Sequence, residues 1–260
     1  MNEAENDQEV VRMEAISLAF GKEKVLDGIN LSVQRGERLV VMGQSGGGKS
    51  TLLRLTMGIL VPTSGQALVF GQDVARLKRT ALNDLRRRMA MVYQYSALIS
   101  SLSVHENLAL PLEEWTNKSK EEIDGIVQDK LALVRMDHVH TKLPSELSGG
   151  MRKRIGLARA LVLEPELILF DEPSAGLDPI SSTIIDELIV ELSERTNTTC
   201  VIVTHEMGSA FRIATRMAML YEGKIIYTGD PETFREAENP VVRQFVEGRT
   251  HGPITDHAPA

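Results

Sequence analysis

The chain has 260 residues, 42% of them hydrophobic and 25% charged, enough for a large buried core arranged as one large domain or two smaller ones. Its 29 basic and 36 acidic side chains leave a net charge of −7, which repels a phosphate backbone, so nucleic acid is not an expected partner. No run reaches the ~18 consecutive apolar residues of a spanning helix, the start MNEAENDQEV is acidic where a signal sequence would be basic, and Cys200 is alone, which excludes a disulfide framework and fits a reducing cytoplasm.

In chain order, residues 13–33 alternate polar and apolar side chains around Gly21 and the pair Asp27-Gly28, which predicts antiparallel strands with tight turns and a small β-rich lobe. The apolar run RLVVMG (38–43) then leads into Gly43, Gln44, Ser45, Gly46, Gly47, Gly48, Lys49, Ser50 and Thr51, followed by a helical segment. A strand, a glycine-rich turn ending in Lys-Ser and a helix are the required context of a phosphate-binding loop. Glycines let backbone N–H groups approach an anion closely, and the positive end of the following helix adds attraction. Lys49 is then expected to grip the β- and γ-phosphates of ATP, and Ser50 to ligate Mg²⁺. A plain glycine-rich turn is the competing reading, and the Lys-Ser pair at the required offset argues against it.

Further along, the basic triplet Arg86-Arg87-Arg88 reads as a solvated helix face. From about residue 98 the character changes to SVHENLALPL, a capping box of Ser119 with Glu122, and Ile123, Ile126, Val127, Leu131 and Val134 at helical spacing. This predicts a helical subdomain, about 98–160, inserted in an α/β core. ELILFDE (166–172) is a buried apolar strand ending in Asp171 and Glu172, whose side chains point to opposite sides and can hold different roles. Alone, such a pair is usually a solvated strand end; beside a nucleotide, Asp171 would orient Mg²⁺ through water and Glu172 would polarise the attacking water. TCVIVTH (199–205) ends in His205, placed to contact the γ-phosphate if it is not merely structural. The alternation of apolar strands and helical segments predicts a mostly parallel sheet covered on both faces. MAMLYEGKIIYTG reads as two short strands around Glu222-Gly223, PETFREAENPVVRQFVEG as helical turns broken at Pro240, and residues 249–260 as a mobile tail.

The segment Leu147-Ser148-Gly149-Gly150-Met151 precedes the helical MRKRIGLARALVL, then a strand ending in DEP, then AGLD (175–178) and a later histidine. Taken with the phosphate loop, this order resembles the ABC ATPase family over about residues 12–248, a P-loop NTPase core with an N-terminal antiparallel lobe and an inserted helical subdomain. Ser148 would cap a helix whose leading N–H groups, with Gly149 and Gly150, form a second anion site. The resemblance implies that this site clamps the γ-phosphate of ATP held by a second copy, so that two copies sandwich two nucleotides head to tail. It also implies that Phe20 stacks on adenine and that Gln94, in AMVYQ, senses Mg²⁺ and the attacking water. A β-lobe phenylalanine is as often plain core. Met151 departs from the family, which commonly has glutamine there.

Met151, YQYSALISSLSVHENLALPL, LPSELSGGM and NPVVRQFVEG are together similar to the ATPases of Mla/Mce-type systems that move phospholipid between inner and outer membranes. That resemblance implies a peripheral subunit on the cytoplasmic face of the inner membrane. Its implied partners are a transmembrane permease, a hexameric Mce-domain lipid-binding protein and a small STAS-domain protein. VVRQFVEG resembles an extension that packs on the neighbouring ATPase, with an ordinary terminal helix as the alternative. Competing functions are the same ATPase serving amino-acid import or solvent efflux, and a soluble ABC ATPase of DNA repair or translation. The latter would bring a coiled-coil insert, a second cassette or basic arms. A nucleotide-gated binding module without hydrolysis would have lost Glu172 or His205.

Overall fold

The alternating pattern near the start becomes two long antiparallel strands, β1 (Glu9–Phe20) and β2 (Glu23–Gln34), which turn at Gly21. The computed structural model describes residues 8–256. These form two compact units, one comprising the chain up to Leu77 and from Val201 onward, the other Lys78–Cys200.

In the first unit, β4 (Ser64–Val69) and β5 (Gln72–Asp73) complete an antiparallel sheet of order β2-β1-β4-β5. The turn expected at Asp27-Gly28 is instead a bulge inside β2. The pairing advances from Leu26 to Ile29 while β1 moves only from Leu18 to Ile16, with Gly28 at φ 66° and its N–H donating to Ser17 Oγ at 3.0 Å. The extra residue lets Leu26 and Ile29, three apart, both be buried. Strand β3 (Arg38–Met42) is buried from Leu39 to Met42, as a strand covered on both faces must be. It pairs in parallel with β9 (Arg216–Tyr221). A hairpin through Glu222 and Gly223, at φ 46° and 73°, leads to β10 (Lys224–Gly229), the doubly positive φ that suits a two-residue turn. With β8 (Thr199–Thr204) the strand order here is β10-β9-β3-β8.

Helix α1 (Lys49–Thr56) follows β3. Near the C-terminus the expected break is two helices, each opening on a proline. Pro231 begins the helix ending at Arg235 and Pro240 the one ending at Glu247, with Asp230 and Asn239 accepting from first-turn N–H groups. The residues after Glu247, expected to be a tail, fold back instead as far as 256. Buried Gln244 is the reason: its amide donates to Arg249 O and Thr255 Oγ1 and accepts from Ile254 N–H. The last four residues lie outside the described range.

The second unit runs α2 (Arg79–Arg86), β6 (Met89–Val92), α3 (Val104–Trp115), α4 (Lys120–Leu133), α5 (Gly149–Leu161), β7 (Leu167–Asp171) and α6 (Pro179–Thr196), with β6 and β7 parallel. Capping boxes open α3 at Ser103/Glu106 and α4 at Ser119/Glu122, and Ile123, Val127 and Leu131 form the buried stripe of α4. The basic triplet is engaged rather than simply solvated. Arg87 lies 4.6 Å over the Trp115 ring, and Arg88 Nε donates to Glu166 at 2.6 Å. Cys200 is buried, its thiol 3.8 Å from Thr198 O. Among the described residues no helix is long and apolar enough to cross a membrane.

Candidate functional site

The strand end of β3 and the start of α1 hold the glycine-rich loop in a shape that side chains would prevent. A Cβ at Gly43 would lie 2.4 Å from Leu220 O of β9, and one at Gly48 would meet Val25 and Leu26 of β2 at 3.2 Å. Gly46 and Gly48 adopt φ 78° and 93°, which L side chains rarely adopt. Gln44, Ser45 and Gly46 face solvent, while Gly47 N–H donates to Gln44 O at 3.1 Å and tightens the turn. Lys49 is only 6% exposed, and its ammonium donates to Gly43 O and Gln44 O, both at 2.9 Å. A cation is thereby held at the rim of a loop whose tip is open.

Helix α1 begins at that loop with no side-chain cap from Gly48 and no acidic residue in its first turn. Helices α3, α4, α5 and α6 are capped by side chains of Ser103, Ser119, Ser148 and Asp178, whereas α2 behind Lys78 also lacks a side-chain cap. An uncapped helix start behind a positive-φ glycine loop and a buried lysine fits a phosphate group. Ser50 and Thr51 stand in the first turn of α1. Phe20 closes β1 at 54% exposure, so it is not core. His205 follows β8 directly and is exposed.

The remaining predicted residues belong to the second unit. Asp171 ends β7, and Glu172 comes next at 9% exposure with φ 51°, a left-handed backbone uncommon for a non-glycine residue. The Glu172 carbonyl accepts from Ala175 N–H at 3.3 Å and from the buried ammonium of Lys153 at 3.2 Å. Ser148 caps α5 by accepting from Met151 N–H at 3.3 Å, so the main chain of Met151 serves the cap whatever its side chain. Gly149 and Gly150 pack on Leu177 and Ser181, at 3.6 and 3.4 Å from an added Cβ. Gln94 is half-buried in the loop after β6.

That loop shows what sequence reasoning missed. Ser96 and Ala97 are consecutive non-glycine residues at φ 61° and 47°. Arg159 of α5 donates to both of their carbonyls, at 3.1 and 2.8 Å. Burial pulls the Arg159 pKa below its usual value, with Tyr93 opposing. In the sequence Lys153 and Arg159 read as surface, as a basic residue in a helical run does, because their carbonyl partners are distant in sequence. Among the described residues no group of three or more His, Cys, Asp or Glu side chains could hold a metal ion. A Mg²⁺ ion at Ser50 would take the rest of its shell from water, phosphate oxygens and single side chains rather than from an all-protein cage.

The model of the ABC transporter family matches residues 26–175. The chain is 39% identical over 251 residues to the intermembrane phospholipid transport system ATP-binding protein MlaF of Escherichia coli K12, covering 96% of this chain and 93% of that protein. It is 38% identical over 244 residues to the probable ribonucleotide transport ATP-binding protein mkl of Mycobacterium tuberculosis, covering 94% of this chain and 68% of that one. Among solved structures, a dimeric ATP-binding cassette bound to ADP and phosphate aligns with TM-score 0.78 at 30% identity, covering 85% of this chain and 98% of that one. cbiO1 of Clostridium perfringens, part of an ABC transporter complex, aligns with TM-score 0.81 at 30% identity, covering 91% and 94%.

Proposed function

Because the chain belongs to the ABC transporter family and is its ATP-binding, ATP-hydrolysing subunit, we propose that it drives phospholipid transport between the inner and outer membranes. The observation that carries this reading is the 39% identity with MlaF across 96% of this chain. On this reading it works on the cytoplasmic face of the inner membrane. A permease, an Mce-domain lipid-binding protein and a STAS-domain protein are its partners.

The residue roles follow from the chemistry. Backbone N–H groups of Gly43 to Thr51 and the Lys49 ammonium bind the phosphates of ATP, and exposed Phe20 stacks on the base. Ser50, Asp171 and Gln94 would hold Mg²⁺, Asp171 through a water, and the ion would supply charge neutralisation on the β- and γ-phosphates. Glu172 accepts the proton of the attacking water, a general-base contribution typically worth ~10²–10⁴ in rate, and His205 hydrogen-bonds the γ-phosphate. The N–H groups behind Ser148, Gly149 and Gly150 receive the γ-phosphate of ATP held by the second copy.

The test is reconstitution of the chain in vesicles with its permease and Mce-domain partner, following labelled phospholipid and ATP consumption together. Lipid transfer that requires ATP and stops with Glu172→Gln is the expected result. Stimulation of ATP consumption by added ribonucleotides other than ATP, with uptake of those nucleotides and no lipid movement, would instead favour the transport named for the mycobacterial relative.

A further inference from the structure

Helix α5 begins at Ser148 and, eleven residues later, carries Arg159, about 16 Å along its axis at 1.5 Å per residue. There the Arg159 guanidinium holds Ser96 O and Ala97 O at 3.1 and 2.8 Å. Both residues adopt left-handed φ, a conformation that non-glycine residues keep only where the surroundings over-determine it. One turn earlier on α5, Gly156 makes room for them. A Cβ there would lie 3.1 Å from Ser96 Cβ, and Ser96 is 4% exposed. Ser96 N–H returns to Tyr93 O at 2.9 Å, closing a turn around Gln94. The far side of the loop is fastened separately. Asn107 accepts from Ile99 N–H and donates to Ile99 O, Leu102 O and Ser103 O. The Gln94 turn is therefore anchored to α5, not carried along by α3 alone.

We propose that Arg159 is a positioning residue for ATP hydrolysis, its guanidinium and the Gly156 notch locking the Gln94 turn to the helix that starts at Ser148. The proposal rests on the role given above to Gln94. Any displacement of the Ser148 end, where the second copy's phosphate is expected, then shifts the turn that presents Gln94, because a helix transmits axial movement along its length. Arg159 supplies two donors in a fixed planar fork matched to two neighbouring carbonyls, which a lysine meets only in part.

The experiment compares the full-length protein with Arg159→Gln, Arg159→Lys and Gly156→Ala, each alone and combined with Gln94→Ala. It reads kcat, the Mg²⁺ dependence of kcat, affinity for a non-hydrolysable ATP analogue and the thermal midpoint. Arg159→Gln and Gly156→Ala should each lower kcat about tenfold or more, as small misplacements near reacting groups do. Analogue affinity should move less than twofold, since the Lys49 loop lies in the other unit, and Arg159→Lys should recover part of the loss. In the Gln94→Ala background the further loss should be under about twofold, because coupled residues are not additive. Losses that simply multiply with that of Gln94→Ala, or that follow only the thermal midpoint, would overturn the positioning role while leaving Gln94 in place. Full turnover by Gln94→Ala alone would overturn the role of Gln94, and this proposal with it.

Discussion

Lys49 illustrates what one side chain does in two settings. It is buried, and its ammonium satisfies Gly43 O and Gln44 O, so it stabilises the loop and leaves a fixed positive charge beside an exposed tip. Lys49→Ala should weaken ATP binding by about 1.5–3 kcal/mol, the range for hydrogen bonds to charged groups. Nucleotide titration by calorimetry checks it, and an unchanged affinity would remove Lys49 from the cradle. The lysine stands out in the sequence because its observed contacts are to residues five and six positions away. The need for glycine at 43 does not, since it arises from Leu220 O, 177 positions further along the chain.

At the scale of elements, caps and bulges decide where strands and helices begin. The bulge at Ala15, φ 47°, lies against Gly65, whose added Cβ would be 2.4 Å from Glu14 O and Ala15 O. Gly65→Ala combines that clash with a positive φ of 84°. It should cost about 2 kcal/mol or more, by the usual size of backbone strain; denaturant unfolding measures it, and a loss under half that would sink the account. Asp178 caps α6 by accepting from Ile180 and Ser181 N–H, both at 3.0 Å. Hydrogen bonds from Ser181 first, then Ile180, hold its carboxyl below the usual aspartate range. A depressed folded pKa means the cap's contribution is complete above about pH 4, the unfolded value, and fades as pH falls through the folded one. Asp178→Asn keeps an acceptor without a titrating charge, so its thermal midpoint should fall less than the parent's between neutral pH and pH 3. The Ser119 box was legible because both halves lie within four residues. The Asp27-Gly28 pair misled because a bulge and a turn use the same residues, and only pairing with β1 distinguishes them.

For the whole molecule, the expected working state is a dimer clamped by two nucleotides. On the proposed role of Glu172, Glu172→Gln should hydrolyse ATP at a small fraction of the parent rate, since the base would be lost while phosphate contacts remain. With ATP and Mg²⁺ it should elute at twice the monomer mass on light scattering, and Lys49→Ala should not. Normal turnover by Glu172→Gln would remove the glutamate from its role, and a monomer under all nucleotide conditions would remove the sandwich.

The sequence by itself determined the family, the α/β class, the glycine-rich turn between a strand and a helix, and the order of the motifs. Each of these is written in short-range spacing, where a few neighbouring residues dictate a turn, a cap or a strand end. Only the tertiary structure decided that Gly28 is a bulge, that residues 249–256 fold onto Gln244, and that Lys153 and Arg159 hold the carbonyls of Glu172, Ser96 and Ala97. The Lys153 and Arg159 contacts reach carbonyls 19, 62 and 63 positions away, and the Gly28 bulge depends on register with β1. Gln244 reaches only 5 to 11 positions, but into a segment with no apolar period. None of these hydrogen bonds leaves a periodic trace in the residues that make it.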